Sequence, residues 1–221
     1  MTLEDKKLIP KQIMEILDQE YGKRTWSPRR QPLAELVQTV LAQHTSDINA
    51  ERAFKSMMAK FGTWDAIAET DIEKLEESIR GGGLAKQKAP RIKAVLNKLK
   101  EEERDTAMSF LRDMSVEEGL EWLTSIPGIG PKTARCVLLF SLGKPVIPVD
   151  THVHRVARRL GLIGLKTTAE QSHRILEAMV PEEDAYRFHM HLIEHGRKIC
   201  KAPRPRCKVC PLALGCPSSQ A

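Results

Sequence analysis

Long apolar runs are missing from this chain of 221 residues. None approaches the roughly 18 consecutive apolar residues that cross a bilayer as a helix. The opening stretch, MTLEDKKLIPKQ, lacks the apolar core of a secretory leader. No membrane partner is therefore expected. The location expected is cytoplasmic and nucleoid-associated, or nuclear in a eukaryote. Aromatic residues are scarce at 5%, so ring stacking is not expected to dominate a ligand site. Strand-like stretches are also lacking. The one candidate, Val146-Ile147-Pro148-Val149, carries a proline that argues against a sheet. There is no internal repeat. A disulfide framework is absent too: four of the five cysteines crowd into the last 22 residues, which is not how an oxidised scaffold spaces them.

What is present is basic and helical. Lysine and arginine number 35 against 29 acids, a net charge of +6, with a pI near 9.1. That balance suits a nucleic-acid partner without requiring one. Leu33, Leu36, Val37, Val40 and Leu41 recur at helical spacing, as do Ile92, Val95, Leu96 and Leu99. Val153, Val156, Ala157 and Leu160 form another such face and leave His154, Arg155, Arg158 and Arg159 off it. Cys136 to Phe140 is apolar all round and predicts a central, buried helix. The pattern places helices near 10–21, 32–43, 47–60, 71–79, 86–103, 115–124, 131–142, 151–160, 168–179 and 182–196. Gly81-Gly82-Gly83 marks a break, Gly143 and Gly161 follow helix ends, and Pro181 opens a helix. The Glu101-Glu102-Glu103 run reads as a solvated helix face. The fold class is all-α.

The chemistry concentrates in Ile126-Pro-Gly-Ile-Gly-Pro-Lys-Thr-Ala134 and in Val149-Asp-Thr-His152. A glycine turn opening a helix offers unpaired amides and about half a positive charge to an anion. Gly128 and Gly130 would let backbone approach a phosphate unobstructed, a grip that ignores base identity. A tight helix–helix connection would use the same glycines. Lys132 lies in the first turn of that helix, where helix polarity and a partly dry pocket would favour a neutral, nucleophilic amine. A lysine that merely contacts phosphate reads the same. Asp150 opens the next helix, as catalytic carboxylate, plain N-cap or both. A 12-residue helix runs roughly 18 Å away, and residues 143–149 can reach back roughly 24 Å, so the chain permits Lys132 and Asp150 to meet.

Cys200, Cys207, Cys210 and Cys216 follow the spacing Cys-x6-Cys-x2-Cys-x5-Cys. Four thiolates in such a window bind zinc or an iron–sulfur cluster, and spacing alone does not choose. Cys136, inside an apolar run, reads as core. No acid stands among positions 197–208, and Lys201, Arg204 and Arg206 fall inside the first cysteine loop. These cations would clamp phosphate or balance an anionic cluster.

Together, Pro-Gly-Ile-Gly-Pro-Lys-Thr-Ala and Val-Asp-Thr-His resemble the helix-hairpin-helix and Gly/Pro–Asp signature of base-excision DNA glycosylases, in the endonuclease III branch. Leu41-Ala-Gln-His-Thr-Ser-Asp47 is similar to that family's segment at the DNA interface, and the cysteine spacing matches as well. The resemblance implies a 4Fe–4S cluster rather than zinc. It implies a six-helix barrel domain over 24–144, ending in the hairpin, and a discontinuous cluster domain from 1–23 plus 145–221. Lys132 and Asp150 are then expected on opposite sides of a cleft. The partner implied is double-stranded DNA holding a damaged base or abasic site, bound by a monomer. The target base is extruded, Gln43 enters the gap or merely ends a helix, and Leu84 is a second wedge or ordinary core. Lys132 forms a Schiff base, Asp150 assists, and β-elimination cuts the strand. His152 lines the base pocket, meets the opposite strand, or is an ordinary surface histidine. Two departures bear on substrate. His44 stands where asparagine or alanine is usual, and a longer stretch near 101–118 is more like plant 5-methylcytosine glycosylases. Oxidised pyrimidines are the expected targets. The alternatives are mismatched, deaminated or methylated bases, or a protein that only binds DNA.

Overall fold

The computed structural model describes residues 7–220. Residues 1–6, half of the stretch read for a leader, and Ala221 lie outside the described residues. Among the described residues there are eleven α-helices and no strand: α1 (Pro10–Tyr21), α2 (Pro32–Leu41), α3 (Asp47–Phe61), α4 (Trp64–Glu69), α5 (Ile72–Ile79), α6 (Ala85–Glu101), α7 (Val116–Thr124), α8 (Pro131–Leu142), α9 (Thr151–Arg159), α10 (Ala169–Met179) and α11 (Ala185–Lys198). Val146 to Val149 is buried and forms no strand. No helix is long and apolar enough to cross a membrane among these residues.

The chain divides into two compact units, one from Met1–Ser27 with Gly143–Ala221, the other Pro28–Leu142. The second unit is built on α2 against α8. Every residue of α8 from Thr133 to Ser141 is buried, so this helix is surrounded by its neighbours, as its all-round apolar pattern requires. Gly119 lets α7 approach it closely; a Cβ there would lie 3.2 Å from Leu138. Helix starts follow local chemistry. Ser46 caps α3 by accepting from the Asn49 amide. Ser115 and Glu118 form a reciprocal capping box on α7.

Two expectations change here. A helix over 64–69 was not anticipated, because six residues are too few to show a period. The Glu101–Glu103 run is not simply solvated: α6 stops at Glu101, and Glu102 gathers Lys98 at 2.7 Å, Arg104 at 2.7 Å and the Trp122 indole at 2.7 Å. The Lys98 hydrogen bond, then that of Trp122, hold its carboxyl down at about 2. Arg104 lies over Phe110, 4.1 Å from its centroid, and Phe110 meets Trp122 edge-on. The long 101–118 segment is thereby tied to α6 and α7.

In the first unit α9 packs on α11, and α1 on α11. Asp18 of α1 accepts from Arg187 and from His191 at 2.7 Å. Burial raises the Asp18 pKa, yet these two partners outweigh it and hold the carboxyl below its usual range. Thr168 and Gln171 box the start of α10. The segment expected as one helix over 182–196 is a short tight turn, Glu182–Asp184, followed by α11.

Candidate active site

The hairpin lies in the second unit, between α7 and α8. Ile126 and Ile129 are buried, 1% and 4% exposed, and the Ile129 amide bonds the Ile126 carbonyl at 3.0 Å. These two side chains anchor the turn and leave its glycines outside. The glycines have different reasons to exist. Gly128 has φ +84, a left-handed backbone that other residues adopt at a cost. A Cβ there would also sit 2.6–2.8 Å from the Arg91 side chain. Gly130 meets nothing within 4 Å of where its Cβ would be. Its carbonyl accepts the Ala134 amide at 3.0 Å, which makes it the residue that starts α8. Pro131 has no amide to leave unpaired, so the next free amides belong to Lys132 and Thr133. Of the two hairpin glycines, Gly130 is the one free of the protein's own packing.

Lys132 is exposed. The chain does not by itself supply the dry pocket expected around this amine. Cys136, one turn along α8, is buried and 4% exposed. Burial pushes its thiol pKa up, and the Lys132 ammonium draws it partly back.

Gln43 follows α2 in a turn whose next residue, His44, has φ +53. Its side chain is held from two directions: Arg91 donates to its Oε1, and its Nε2 donates to Thr133 Oγ1 at 3.4 Å. Leu84 caps the start of α6 with a left-handed backbone, φ 51 and ψ 35, and is 44% exposed. A leucine in that region costs roughly 1–2 kcal/mol. It is thus a surface side chain on a strained support, not core.

Asp150 belongs to the first unit and caps α9. Its Oδ1 accepts the amides of His152 and Val153, both at 2.8 Å; its Oδ2 accepts no hydrogen bond among the described residues. Cap and available carboxylate oxygen coexist in one side chain. His152 accepts at Nδ1 from Arg155 Nη2, at 3.1 Å, which leaves its proton on Nε2.

The four C-terminal cysteines form no disulfide, each is half-buried, and together they line one cavity. Burial pushes Cys210 up to about 11, assisted by Cys200, Cys216 and Cys207. The thiols are near enough to feel one another's charge. Among the described residues no group of three or more His, Cys, Asp or Glu side chains is arranged to hold a single metal ion. An all-sulfur set around a cavity suits a thiophilic centre. The surrounding bonds are numerous. Tyr21 pairs with His195 Nδ1 at 3.0 Å, and His195 Nε2 meets Cys210 Sγ at 3.5 Å. Burial lowers the His195 pKa to about 4. Arg159 donates to Cys200 Sγ at 3.3 Å, to the Lys201 carbonyl at 2.7 Å and to that of Ala202 at 3.0 Å. Arg155 donates to the Cys200 and Gly196 carbonyls at 2.9 Å. Lys201, Arg204 and Arg206 are exposed, and their side chains make no hydrogen bond or ion pair among the described residues. Arg204 has φ +71.

Sequence reasoning passed over Lys88, Arg91, Thr133, Arg155 and Arg159. The two α9 arginines left a trace, standing off an apolar face at i and i+4. Lys88 and Arg91 stood in a helix rich in lysine, where nothing distinguishes one cation from the next.

A model of the HhH-GPD superfamily base excision DNA repair proteins matches residues 37–182. The chain is 37% identical over 187 residues to a protein of Arabidopsis thaliana, covering 80% of this chain and 64% of that one. It thus spans somewhat less than two thirds of that relative's length. It is 35% identical to endonuclease III of Thermotoga maritima over 84% of this chain and 82% of the other. Among solved structures, a trapped covalent intermediate of endonuclease III with DNA superposes with a TM-score of 0.80, at 27% identity, over 99% of this chain and 97% of that one. The chain belongs to the HhH-GPD superfamily of base excision DNA repair proteins.

Proposed function

We propose that this protein is a bifunctional DNA glycosylase and abasic-site lyase acting on damaged pyrimidines, oxidised ones foremost, in duplex DNA. The observation that carries the reading is the exposed Lys132 amine in the first turn of α8, two residues after the unobstructed Gly130. A protein that only grips phosphate needs the turn but not the amine. The covalent DNA intermediate of the structural neighbour supports the same route.

The hairpin amides and the cations of the cysteine loop grip the phosphate backbone. The damaged nucleotide leaves the stack, and Gln43 and Leu84 fill the space. The DNA then buries the exposed lysine, supplying the desolvation that the free protein does not. Lys132 Nζ attacks C1′; the C1′–N bond to the base breaks and the base departs with a proton. The amine loses its protons as the sugar ring opens to the imine. Asp150, oriented by the two α9 amides on Oδ1, uses Oδ2 to take a proton and to stabilise positive charge on the sugar. The imine acidifies the C2′ proton, whose loss expels the 3′ phosphate and breaks the strand. Cys200, Cys207, Cys210 and Cys216 would hold a 4Fe–4S cluster, whose bonds to the four sulfurs would fix the cationic loop. His152 borders the pocket through its Nε2 proton.

Borohydride reduction of the imine tests the assignment. Wild-type protein should become covalently trapped on abasic duplex DNA, and Lys132→Ala should not; undiminished trapping in that variant would overturn it. Iron and sulfide in the purified protein, with zinc absent, is the outcome expected for the cluster.

A further inference from the structure

Lys88 is 1% exposed, and its ammonium is spent on two backbone carbonyls, Leu41 at 2.7 Å and Gly82 at 2.8 Å. Those carbonyls belong to segments 41 positions apart in sequence. Each lies two residues from a proposed wedge: Leu41 precedes Gln43, and Gly82 precedes Leu84. The glycine turn is further pressed against α3, where a Cβ on Gly82 would come within 2.9 Å of Ala53. One turn along α6, Arg91 does for a side chain what Lys88 does for backbone. It donates to Gln43 Oε1, and its stem lies flat against Gly128. Gln43 in turn reaches Thr133, beside Lys132.

We propose that Lys88 and Arg91 are positioning residues for intrusion into DNA. Lys88 sets the separation of the loops carrying Gln43 and Leu84, and Arg91 aims Gln43 from the hairpin. The proposal rests on the glycosylase reading given above. Two side chains entering one gap in a base stack must keep a fixed separation, because a displacement near 1 Å forfeits productive geometry. A buried ammonium shared by both loops provides that constraint. A cation there only to satisfy stray carbonyls would stabilise the fold and do nothing specific to intrusion.

The distinction is measurable because intrusion matters only where a stack must be opened. Full-length wild type, Lys88→Met and Arg91→Met are compared in single-turnover strand cleavage at an abasic site. The site is placed first in a fully paired duplex and then in a bubble of unpaired bases. On the paired duplex both variants should be about tenfold or more slower than wild type, since unstacking must still be driven there. In the bubble they should come within about threefold of it. Equal losses in the two contexts, or none in either, would overturn the positioning role. Should Lys88→Met fail to fold, Arg91→Met decides alone, because Arg91 is half-buried and its loss leaves the backbone ties intact. A wild-type protein that cleaves neither substrate and forms no borohydride adduct overturns the glycosylase reading instead.

Discussion

The hairpin and the cysteine loop are both proposed to grip phosphate, and they are built in opposite ways. The hairpin is anchored by two buried isoleucines and left bare where it would meet a ligand; Gly130 has open space around it. The cysteine loop is braced from outside, with Arg155 and Arg159 of α9 donating to its backbone and to one cysteine sulfur. The hairpin is a short stretch of chain whose shape comes from its own residues. The loop is instead braced by a helix some forty positions earlier in the chain, through Arg155 and Arg159. Asp150 caps the same helix whose far end carries Arg159, so in the first unit the bracing of the loop and the aim of a carboxylate share one rigid element.

Separating cap from carboxylate is the sharpest way to break this comparison. Asp150→Asn keeps an acceptor for the α9 amides, because asparagine caps helices about as well as aspartate. Thermal stability should stay within about 1 kcal/mol, while base excision and trapping rates fall by about 10²–10⁴. A fall in both together would mean that Asp150 is only a cap. At the hairpin, Gly128→Ala should destabilise the protein by about 1–3 kcal/mol, from its positive φ and the collision with Arg91, seen as a lower denaturant midpoint. Arg159→Met should cost about 1–3 kcal/mol through lost charged hydrogen bonds, and should speed cluster loss to a chelator. A stable variant with a slow-exchanging cluster would show that the loop holds itself. Gly130→Ala is the smallest effect on the fold, within about 0.5 kcal/mol. Its consequence should instead be weaker binding of abasic duplex DNA, measured by anisotropy. If Gly128→Ala and Gly130→Ala behave alike, the two glycines do not have the separate reasons assigned to them.

Most helices were legible because their periods are long and their ends carry caps and glycines. The C-terminal limits of α8 and α9 follow from Gly143 and Gly161. The six residues of α4 are too few to repeat a face, and the division at 182–185 turns on packing rather than pattern. Lys132, Asp150, the hairpin glycines and the cysteines could be named because each stands in a local arrangement with its own chemistry. Lys88, Arg91, Arg155 and Arg159 could not, because their partners lie many positions away: Arg91 meets Gln43 across 48 residues and Arg159 meets Cys200 across 41.

By itself the amino-acid sequence determined the all-helical class, the glycine turn before a lysine, a capping aspartate and a four-cysteine loop. These depend on neighbours within a turn or two, where propensity and backbone geometry act directly. Only the tertiary structure decided that Gly128 makes room for an arginine while Gly130 does not, that Leu84 is exposed on a left-handed support, and that Lys88 ties two loops together. Each of those depends on which surfaces the packed helices bring into contact, and no local stretch of chain carries that information.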